Sequence, residues 1–563
     1  MTDVVDTLVE LSKVPLQKEA FDAWLGPGSA IEFLRHNSRQ DEFVVYASTQ
    51  FTFIHAIVVP TSSLNPPNTE DLMSWNCNAT SSWGITVTFS EPRSVSISPP
   101  LDHTGSETLN SGEQLVFARD FEGRPSKKGY YEILQKFTHI FGLHFMEEHN
   151  AYCRLDKHGD IEKVIRIVEI QGKGDEFGGT IVTFDRALLD EYLVLTDSAI
   201  IRTFDFTRYK RGQFSGWSGT HSAQYRQDGD VYYRSHLEAG YASYMRGFQI
   251  VRSFTTKESI ISGFDPAVED RQYASFIAYD WKNKLVREIS CAPGQTANYF
   301  TKSDLPFELS PAFFKPEVLL KYKADSDKYR LDDRKIYCRG AWSLETYDIN
   351  DAGQVHTYLV YLRNLPCEEQ LYWRSYNERP KASISKRAMK TDFEGDWYLE
   401  YDPLSSLKEK VSELNREQVP WWTLRSEGLL DRLHYPVTSS PDEWANEVLQ
   451  LDQLVVEGFE TKWLRIKAQS LGRTPDPAFG SLKLVEECLV ALGFAEADAQ
   501  STVAPLRAAH NLRSKVKGHA SGQEGAAMKK QILAQHGSYK KHFQNLCEKC
   551  DESFRAIAEA FKN

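Results

Sequence analysis

The stretch Ser440-Pro-Asp-Glu-Trp-Ala-Asn-Glu-Val-Leu-Gln-Leu-Asp-Gln-Leu-Val455 has the pattern of a helix start followed by an amphipathic helix. Ser440 and Glu443 have the spacing of a capping box, and the proline between them suits the first helical position. Apolar side chains then recur at three- and four-residue steps as far as Trp463. Because this is the period of one helix face, the sequence predicts a helix that begins at 440 and ends at Gly472.

Three further amphipathic segments follow this one. They cover residues 481–492, residues 502–517 and residues 523–561, and a bend is expected in the last of them at Gly537. The loops between them are short, which is typical of helices that pack antiparallel to their neighbours. The sequence therefore predicts a C-terminal four-helix bundle over residues 440–563.

Upstream of the bundle the sequence is β-rich. From residue 42 to residue 397, short runs of β-branched and aromatic residues alternate with clusters of Gly, Pro, Asn and Asp. Helices are predicted here at 130–141, 187–195 and 368–378. The strand candidates are Phe43–Tyr46, Phe51–Val59, Ile85–Phe89, Ile181–Phe184, Ile200–Phe204, Phe276–Tyr279 and Val355–Tyr361.

These patterns predict an α+β multidomain chain. At roughly 100–200 residues per domain, a chain of 563 residues should hold several. We predict a β-rich N-terminal domain over residues 1–215 and a second, β-rich α+β domain over residues 216–402. The charged stretch 403–439 is expected to connect them to the bundle at 440–563.

The composition indicates the class of protein and its compartment. Hydrophobic residues make up 41% and charged residues 26%, which argues against disorder, and the net charge of −12 argues against a protein whose whole surface coats nucleic acid. The apolar runs are too short to span a bilayer, and acid stands where a signal peptide would carry Lys or Arg. Eight cysteines fit reduced thiols. We therefore expect a cytoplasmic protein with no membrane partner.

The charge is unevenly distributed along the chain. Residues 501–563 contain 11 Lys and Arg against 5 Asp and Glu, a net charge of +6, whereas the other 500 residues carry −18. Four of the 15 histidines also lie in this segment. A basic patch in an acidic protein is the pattern expected of a phosphate-bearing ligand, and a solvated helix face is the alternative.

The stretch His510-Asn-Leu-Arg-Ser-Lys-Val-Lys-Gly-His519 carries the chemistry we expect. On a straight helix His519 would point about 120° away from Arg513, but Gly518 can break the helix and bring the two side chains together. An arginine beside a histidine suits metal-free phosphodiester cleavage. The guanidinium holds the phosphate and stabilises the transition-state charge, and the imidazole moves a proton.

Arg513-x5-His519, late in a predicted four-helix bundle, resembles the R-x4-6-H motif of HEPN domains. These are the RNase domains of many bacterial antiviral, abortive-infection and toxin systems. The resemblance implies metal-independent RNA cleavage that leaves a 2′,3′-cyclic phosphate, at a composite site formed when two such domains pair. It covers residues 440–563 and implies that Arg513 and His519 are catalytic.

Four neighbouring residues are candidates to support the motif. In HEPN domains the residue after the arginine is commonly Asn, Asp or His, and here it is Ser514. Asn511, one turn away, is the candidate for the missing polar contact. Lys515 and Lys517 are candidates to bind RNA phosphates.

The expected function is a metal-independent endoribonuclease of antiphage defence, with tRNA or mRNA as its target and no cofactor or metal. An N-terminal sensor that responds to a phage-derived trigger would control it, and the bundle would form at least a homodimer. One alternative is a non-catalytic assembly module that binds nucleic acid or protein. Another is an enzyme whose site lies in the β-rich part. There, the charged aromatic run 372–387 is either a contact surface or a helix followed by a loop.

One metal-like pattern is set aside. Cys547-x-x-Cys550 stands near His536 and His542, but all four would lie along one helix and could not surround a single zinc ion. Cys550 also falls on the apolar stripe of its helix. Buried thiols are therefore expected.

Overall fold

The chain has an α+β architecture with a β-rich N-terminal region and a helical C-terminal region. It divides into two compact units: the N-terminal unit comprises Met1–Asp156 and Ile161–Asp270, and the C-terminal unit comprises Lys157–Asp160 and Arg271–Asn563. The computed structural model describes residues 3–74, 79–102, 104–123, 129–172, 178–210, 212–217, 223–264, 272–398, 400–426, 428–518 and 523–562. Within these ranges, no helix combines the length and the apolar character needed to cross a membrane.

The N-terminal unit is built on a long antiparallel sheet. Its helices are α1 (Val4–Leu11), α2 (Lys18–Leu25), α3 (Gly28–Asn37), α4 (Thr69–Met73), α5 (Glu107–Asn110), α6 (Gln135–Ile140), α7 (Arg186–Leu195) and α8 (Lys257–Phe264). Its strands are β1 (Glu42–Ser48), β2 (Phe53–Pro60), β3 (Gly84–Thr88), β4 (Ser94–Ser98), β5 (Glu113–Gln114), β6 (Val116–Asp120), β7 (Gly129–Ile133), β8 (His144–Met146), β9 (Ala151–Leu155), β10 (Ile161–Ile170), β11 (Gly179–Asp185), β12 (Ser198–Tyr209), β13 (Gln224–Asp228), β14 (Val231–Glu238) and β15 (Ala242–Val251). The sheet order is β13-β14-β15-β12-β2-β1-β11-β10-β9-β8, and β5 pairs with β2.

Helices cover both faces of this sheet. On β1, Phe43 packs in a cluster with residues of α6 and α7, whereas Val44 packs in a cluster with residues of α1 and α3. Successive side chains of a strand point to opposite faces, so a strand covered on both sides needs apolar residues throughout. This explains why β1 and β2 read as continuous apolar runs rather than as alternating ones.

Two predictions for this region differ from the structure. The sequence placed a boundary at 215/216, but β12 and β13 lie on either side of it in one sheet, because strand pairing is set by tertiary contacts that local composition does not reveal. The helix predicted at 130–141 is wrong in its first part. There Tyr130 and Tyr131 belong to β7, which pairs with β6, and α6 begins only at Gln135.

The C-terminal unit begins with short strands and continues as helices. Its strands are β16 (Ser275–Asp280), β17 (Leu285–Ser290), β18 (Pro311–Phe314), β19 (Tyr329–Leu331), β20 (Ile336–Cys338), β21 (Trp342–Leu344), β22 (Asp348–Ile349), β23 (Val355–Tyr358) and β24 (Asn377–Glu378). Its helices are α9 (Leu320–Ala324), α10 (Leu359–Arg363), α11 (Cys367–Ser375), α12 (Lys386–Ala388), α13 (Pro403–Glu417), α14 (Gly428–Arg432), α15 (Pro441–Val455), α16 (Thr461–Ser470), α17 (Ser481–Ala491), α18 (Glu496–Arg513), α19 (Gln523–His536) and α20 (Tyr539–Ala560). One sheet has the order β17-β16-β18-β23-β22 with β24 beside β18, and another has the order β19-β20-β21.

The helix predicted to run from 440 to 472 starts as expected but is broken in two. The Ser440 hydroxyl accepts from the N–H groups of Asp442 and Glu443, the second and third residues of α15, which confirms the start. The chain leaves the helix after Val455 and re-enters one at Thr461. Between them, the Gly458 carbonyl accepts from Thr423 N–H at 2.9 Å, and a Cβ on Gly458 would lie 2.3 Å from the Trp422 ring nitrogen. Packing against the 421–423 segment therefore sets the break.

Of the remaining predicted helices, the second and the last follow the prediction closely, and the third does not. The segment predicted at 481–492 is α17, and the last segment is divided into α19 and α20 around Gly537, whose φ is +75°. The third helix, α18, starts six residues earlier than predicted and continues as a π-helical turn over Ser514–Gly518. Pro505 therefore lies inside α18 rather than in its first turn.

The segment predicted as a connector is part of the helical core. Helix α13 carries Leu404, Leu407, Val411 and Leu414 on one face, and all four are buried in the same apolar cluster as α15, α18 and α20. The Ser406 hydroxyl also donates to the Asp551 carboxylate of α20 at 2.6 Å. Glu409, Arg416 and Glu417 are exposed, whereas Lys410 is buried beside the apolar residues, and this mixture obscures the amphipathic period of the segment.

Two fully buried histidines are expected to make the protein sensitive to acid. Burial lowers the pKa of His55, in the N-terminal unit, and of His356, in the C-terminal unit, to about 4. In the unfolded chain these histidines take up protons as the pH falls below about 6.5, whereas in the folded chain they do not. The free energy of unfolding is therefore highest above about pH 6.5 and decreases below it. The loss should be about 1.4 kcal/mol per pH unit for each histidine.

Thermal unfolding between about pH 7.5 and pH 5 measures this loss. A His356→Gln variant should show a shallower dependence, because its amide oxygen can still accept the Ser385 N–H that now bonds to His356 Nε2 at 3.0 Å. The exposed His36 provides the control, and His36→Gln should keep the wild-type slope. An unfolding midpoint that stays constant over this range would contradict the prediction.

Candidate functional site

Arg513 lies in a polar cluster where the end of α18 meets α15. The Asp452 cluster, as we call it, consists of Asp452 on α15, Glu457 just after α15, and His510 and Arg513 on α18. His510 and Arg513 are three residues apart and so share one face of the helix. Asp452 has no exposed surface, whereas 44% of the His510 side chain and 32% of the Arg513 side chain are exposed.

Both oxygens of the Asp452 carboxylate are bonded. Oδ1 lies 3.0 Å from His510 Nδ1, and Oδ2 accepts from Arg513 Nη1 at 2.9 Å. The same Arg513 nitrogen lies 2.7 Å from an oxygen of Glu457, which is about one-third exposed. A buried carboxylate therefore fixes the guanidinium from below, and a second carboxylate contacts it near the surface.

Burial dominates the electrostatics of Asp452. It raises the pKa of the carboxyl, and the bonds from His510 and Arg513 partly offset this by favouring the charged form. An acid in an apolar interior is costly unless partners compensate its charge. Asp452 thus ties its two partners firmly in place.

The cluster leaves two groups able to reach a ligand. Because His510 Nδ1 faces Asp452, the other ring nitrogen, Nε2, is turned away from this carboxylate, and no described residue bonds to it. A carboxylate that orients an imidazole in this way is a common device for proton transfer. The guanidinium beside it can bind an anionic oxygen. The arrangement suits a phosphate ester, although two carboxylates already compete for Arg513.

Four of the other predicted site residues lie around this helix end. Asn511, Ser514 and Lys515 are exposed, and the Ser514 hydroxyl donates to the His510 carbonyl at 3.2 Å. Lys517 belongs to the π-helical turn, and its side chain lies outside the described residues. His519 also lies outside the described residues.

Three members of the cluster were not predicted as site residues from the sequence: Asp452, Glu457 and His510. Asp452 could have been found from its position, since it stands beside Leu451 and one turn from Val448 and Val455 on the buried face of α15. An acid within an apolar stripe needs a partner. The only feature that could identify that partner is the proximity of α15 and α18, which local patterns do not give.

The paired cysteines behave as expected. Cys547 and Cys550 are free thiols buried in the helical core, and burial raises the pKa of Cys550 to about 12. His542 accepts from the Trp444 indole at 3.2 Å. Among the described residues, no group of three or more His, Cys, Asp or Glu is placed to hold a metal ion.

The charged aromatic run at 372–387 has both buried and exposed side chains. Its helix is α11, on which Trp373 is fully buried, and Arg387 bonds to both oxygens of the Asp348 carboxylate at 2.8 and 2.9 Å. Packing within the C-terminal unit therefore accounts for Trp373 and Arg387, whereas Arg374, Arg379 and Lys381 are exposed. A helix followed by a loop describes most of this run.

No family model, curated protein or solved structure matches this chain. A functional assignment therefore depends on the chemistry of the Asp452 cluster and of the basic residues around it.

Proposed function

We propose that the helical part of the C-terminal unit is a HEPN-like bundle that cleaves RNA without a metal ion. Arg513 and His519 are the catalytic residues in this proposal. One observation supports it most: the buried Asp452 carboxylate holds the Arg513 guanidinium, one-third exposed, at the end of α18. A fixed and accessible guanidinium is what binding a phosphodiester requires.

The proposed reaction forms one P–O bond and breaks another, and its remaining steps are proton transfers. The 2′-oxygen attacks the neighbouring phosphorus, its proton passes to a base, and the 5′-oxygen leaves with a proton from an acid. The products are a 2′,3′-cyclic phosphate and a 5′-hydroxyl. Arg513 offsets the negative charge that develops on the non-bridging oxygens, and His519 carries a proton. Asn511 and Ser514 support the site, and the exposed Lys515 favours binding of the RNA backbone, as does Lys517.

The proposal extends to the whole protein. Two bundles pair to complete the site, so the active form is at least a homodimer. The N-terminal region responds to a phage-derived trigger and keeps the nuclease idle in uninfected cells, with tRNA or mRNA as the target after infection. Such control is needed because a free RNase would destroy the RNA of its own host.

A non-catalytic assembly module is the second candidate. It is favoured by the pairing of Arg513, whose guanidinium already contacts the carboxylates of both Asp452 and Glu457. In this second candidate, Arg513 joins α18 to α15 and takes no part in catalysis. The basic surface around it would then bind nucleic acid or an acidic partner without cleaving it.

Sequencing of RNA ends distinguishes the two functions. Cells that overproduce the full chain, with and without infection by a panel of phages, should accumulate 2′,3′-cyclic phosphate ends above a vector control. The ends should arise at the same positions when cell extract is incubated with excess EDTA, since no metal takes part. If the number of cyclic ends stays at the vector level in every condition, the result would contradict the nuclease function and favour the assembly module.

A further inference from the structure

A pocket in the N-terminal unit gathers arginines from distant parts of the chain. It measures about 790 Å³ and lies open to solvent at the end of α3. Arg35 and Arg39 reach it from α3 and the residues after that helix, and Arg252 reaches it from the residue after β15. Asp230, in the turn between β13 and β14, is the one carboxylate among its lining residues. This volume is typical of sites for small molecules.

Two of these three arginines have no carboxylate partner among the described residues. Arg35 is paired with Asp228. Arg252 donates to the side-chain oxygen of Asn65 at 3.0 Å, which leaves its charge uncompensated. For the Arg39 side chain, no hydrogen bond or ion pair to a described residue is present. An acidic chain with a net charge of −12 thus exposes uncompensated positive charge at one concave place.

A buried arginine fixes the two segments that carry these charges. Arg186 is 5% exposed, and its guanidinium donates to the Ser38 carbonyl at 2.8 Å and to the Arg252 carbonyl at 2.9 Å. Its Nε bonds to Asp190 at 2.9 Å. Arg186 therefore joins the backbone next to Arg39 to the backbone of Arg252, so that both side chains start from a rigid frame.

A second buried arginine changes the charge at the C-terminal end of α3. Arg202 has no exposed surface and donates to the Leu34 carbonyl at 2.6 Å and to the Asn37 side chain at 2.7 Å. The C-terminal end of a helix is negative and would repel an anion. Burial lowers the pKa of Arg202 to about 9, which still leaves it charged at neutral pH. The guanidiniums of Arg202 and Arg186 thus cancel the negative end of α3 below the pocket.

Aromatic rings complete the lining. Phe254 is 67% exposed, and the Arg186 guanidinium lies 4.6 Å from its ring centre. Tyr232 lies parallel to Phe248 at 4.8 Å. An exposed aromatic face beside arginines can stack on a flat heterocycle, and the Asp230 carboxylate can accept from the hydroxyls of a sugar or from an exocyclic amine.

We propose that this pocket binds a nucleotide. The phosphates contact Arg39 and Arg252, with Arg35 at the edge, and the base stacks on Phe254. Inorganic phosphate alone would leave the aromatic face and Asp230 without a role. The inference stands apart from the proposed RNA cleavage, because every residue it uses belongs to the N-terminal unit.

Calorimetric titration of the full chain tests this site, with ATP and GTP as probes and tripolyphosphate as the probe without a base. At least one nucleotide should bind to the wild type. The double variant Arg39→Ala/Arg252→Ala should bind it at least tenfold more weakly, because two charge-assisted contacts are lost. Phe254→Ala should weaken nucleotide binding several-fold and leave the affinity for tripolyphosphate unchanged. This difference separates the contribution of the base from that of the phosphates.

The exposed Arg93 supplies the matched control, and Arg93→Ala should bind like the wild type. Circular dichroism verifies that each variant is folded. Failure of both nucleotides to bind would overturn the proposal, as would equal affinity in the double variant. Binding of a short single-stranded RNA without either nucleotide would instead identify the pocket as part of an RNA-binding surface, and it would overturn the proposal as well.

Discussion

Replacing Arg513 by alanine is expected to reduce RNA cleavage by about a hundredfold to a thousandfold, the loss typical of removing one group that stabilises transition-state charge. The measurement is the number of 2′,3′-cyclic phosphate ends in cells that produce each variant at equal level. The fold should survive, since Arg513 is one-third exposed and the Asp452 carboxylate keeps His510 as a partner. Arg513→Lys should retain part of the activity, because it keeps the charge but loses the planar donor group.

Two further variants separate catalysis from packing. Arg473 pairs with Glu487 at 2.6 Å in the helical part of the C-terminal unit, and Arg473→Ala removes a comparable ion pair without touching the Asp452 cluster. Its cleavage should match the wild type. Glu457→Gln removes the outer carboxylate from Arg513 and should raise cleavage a few-fold, because a phosphate then meets less competition. Equal activity in the Arg513→Ala and Arg473→Ala proteins would assign Arg513 to packing and would favour the assembly module.

The helical region shows how far local sequence patterns can predict this protein. The Ser440 cap, the end of α17 and the break at Gly537 were all predictable, because each depends on residues a few positions apart. The break between α15 and α16 was not predictable, since it arises where Gly458 packs against Trp422. Nothing in the amphipathic period marks that position, because Phe459 and Trp463 continue the apolar pattern across it.

The candidate sites show the same limit more sharply. Arg513 could be singled out by its spacing to His519, but its contact with Asp452 joins residues 61 positions apart. In the N-terminal pocket, Arg252 is separated from Arg35 and Arg39 by a much longer stretch, and no local motif connects Arg39 to Arg252. Sheet pairing and helix packing bring such residues together. A sequence pattern can therefore suggest which residue types do chemistry, but it cannot show which of them meet.

Replacing Trp422 by alanine is expected to lower the free energy of unfolding of the helical region by about 3–5 kcal/mol, the usual cost of removing a large buried aromatic side chain. Trp422 is 2% exposed, packs edge-on against Phe554 of α20, and lies directly against Gly458. Its indole N–H has no acceptor among the described residues, so the loss is one of apolar contact and of the cavity left behind. Urea unfolding followed by far-UV circular dichroism measures the change.

Trp397 is the matched control, because it is a tryptophan of the same unit that is 85% exposed, and Trp397→Ala should change the stability by less than about 0.5 kcal/mol. The contrast tests whether the segment before residue 440 is part of the helical core. If 403–439 were a loosely attached connector, removing Trp422 would leave the unfolding of the bundle nearly unchanged. A large loss for Trp422→Ala alone would mean that the segment around residue 422 is part of the helical core, so that a protein truncated at 440 would lack part of that core, to which α13 also contributes.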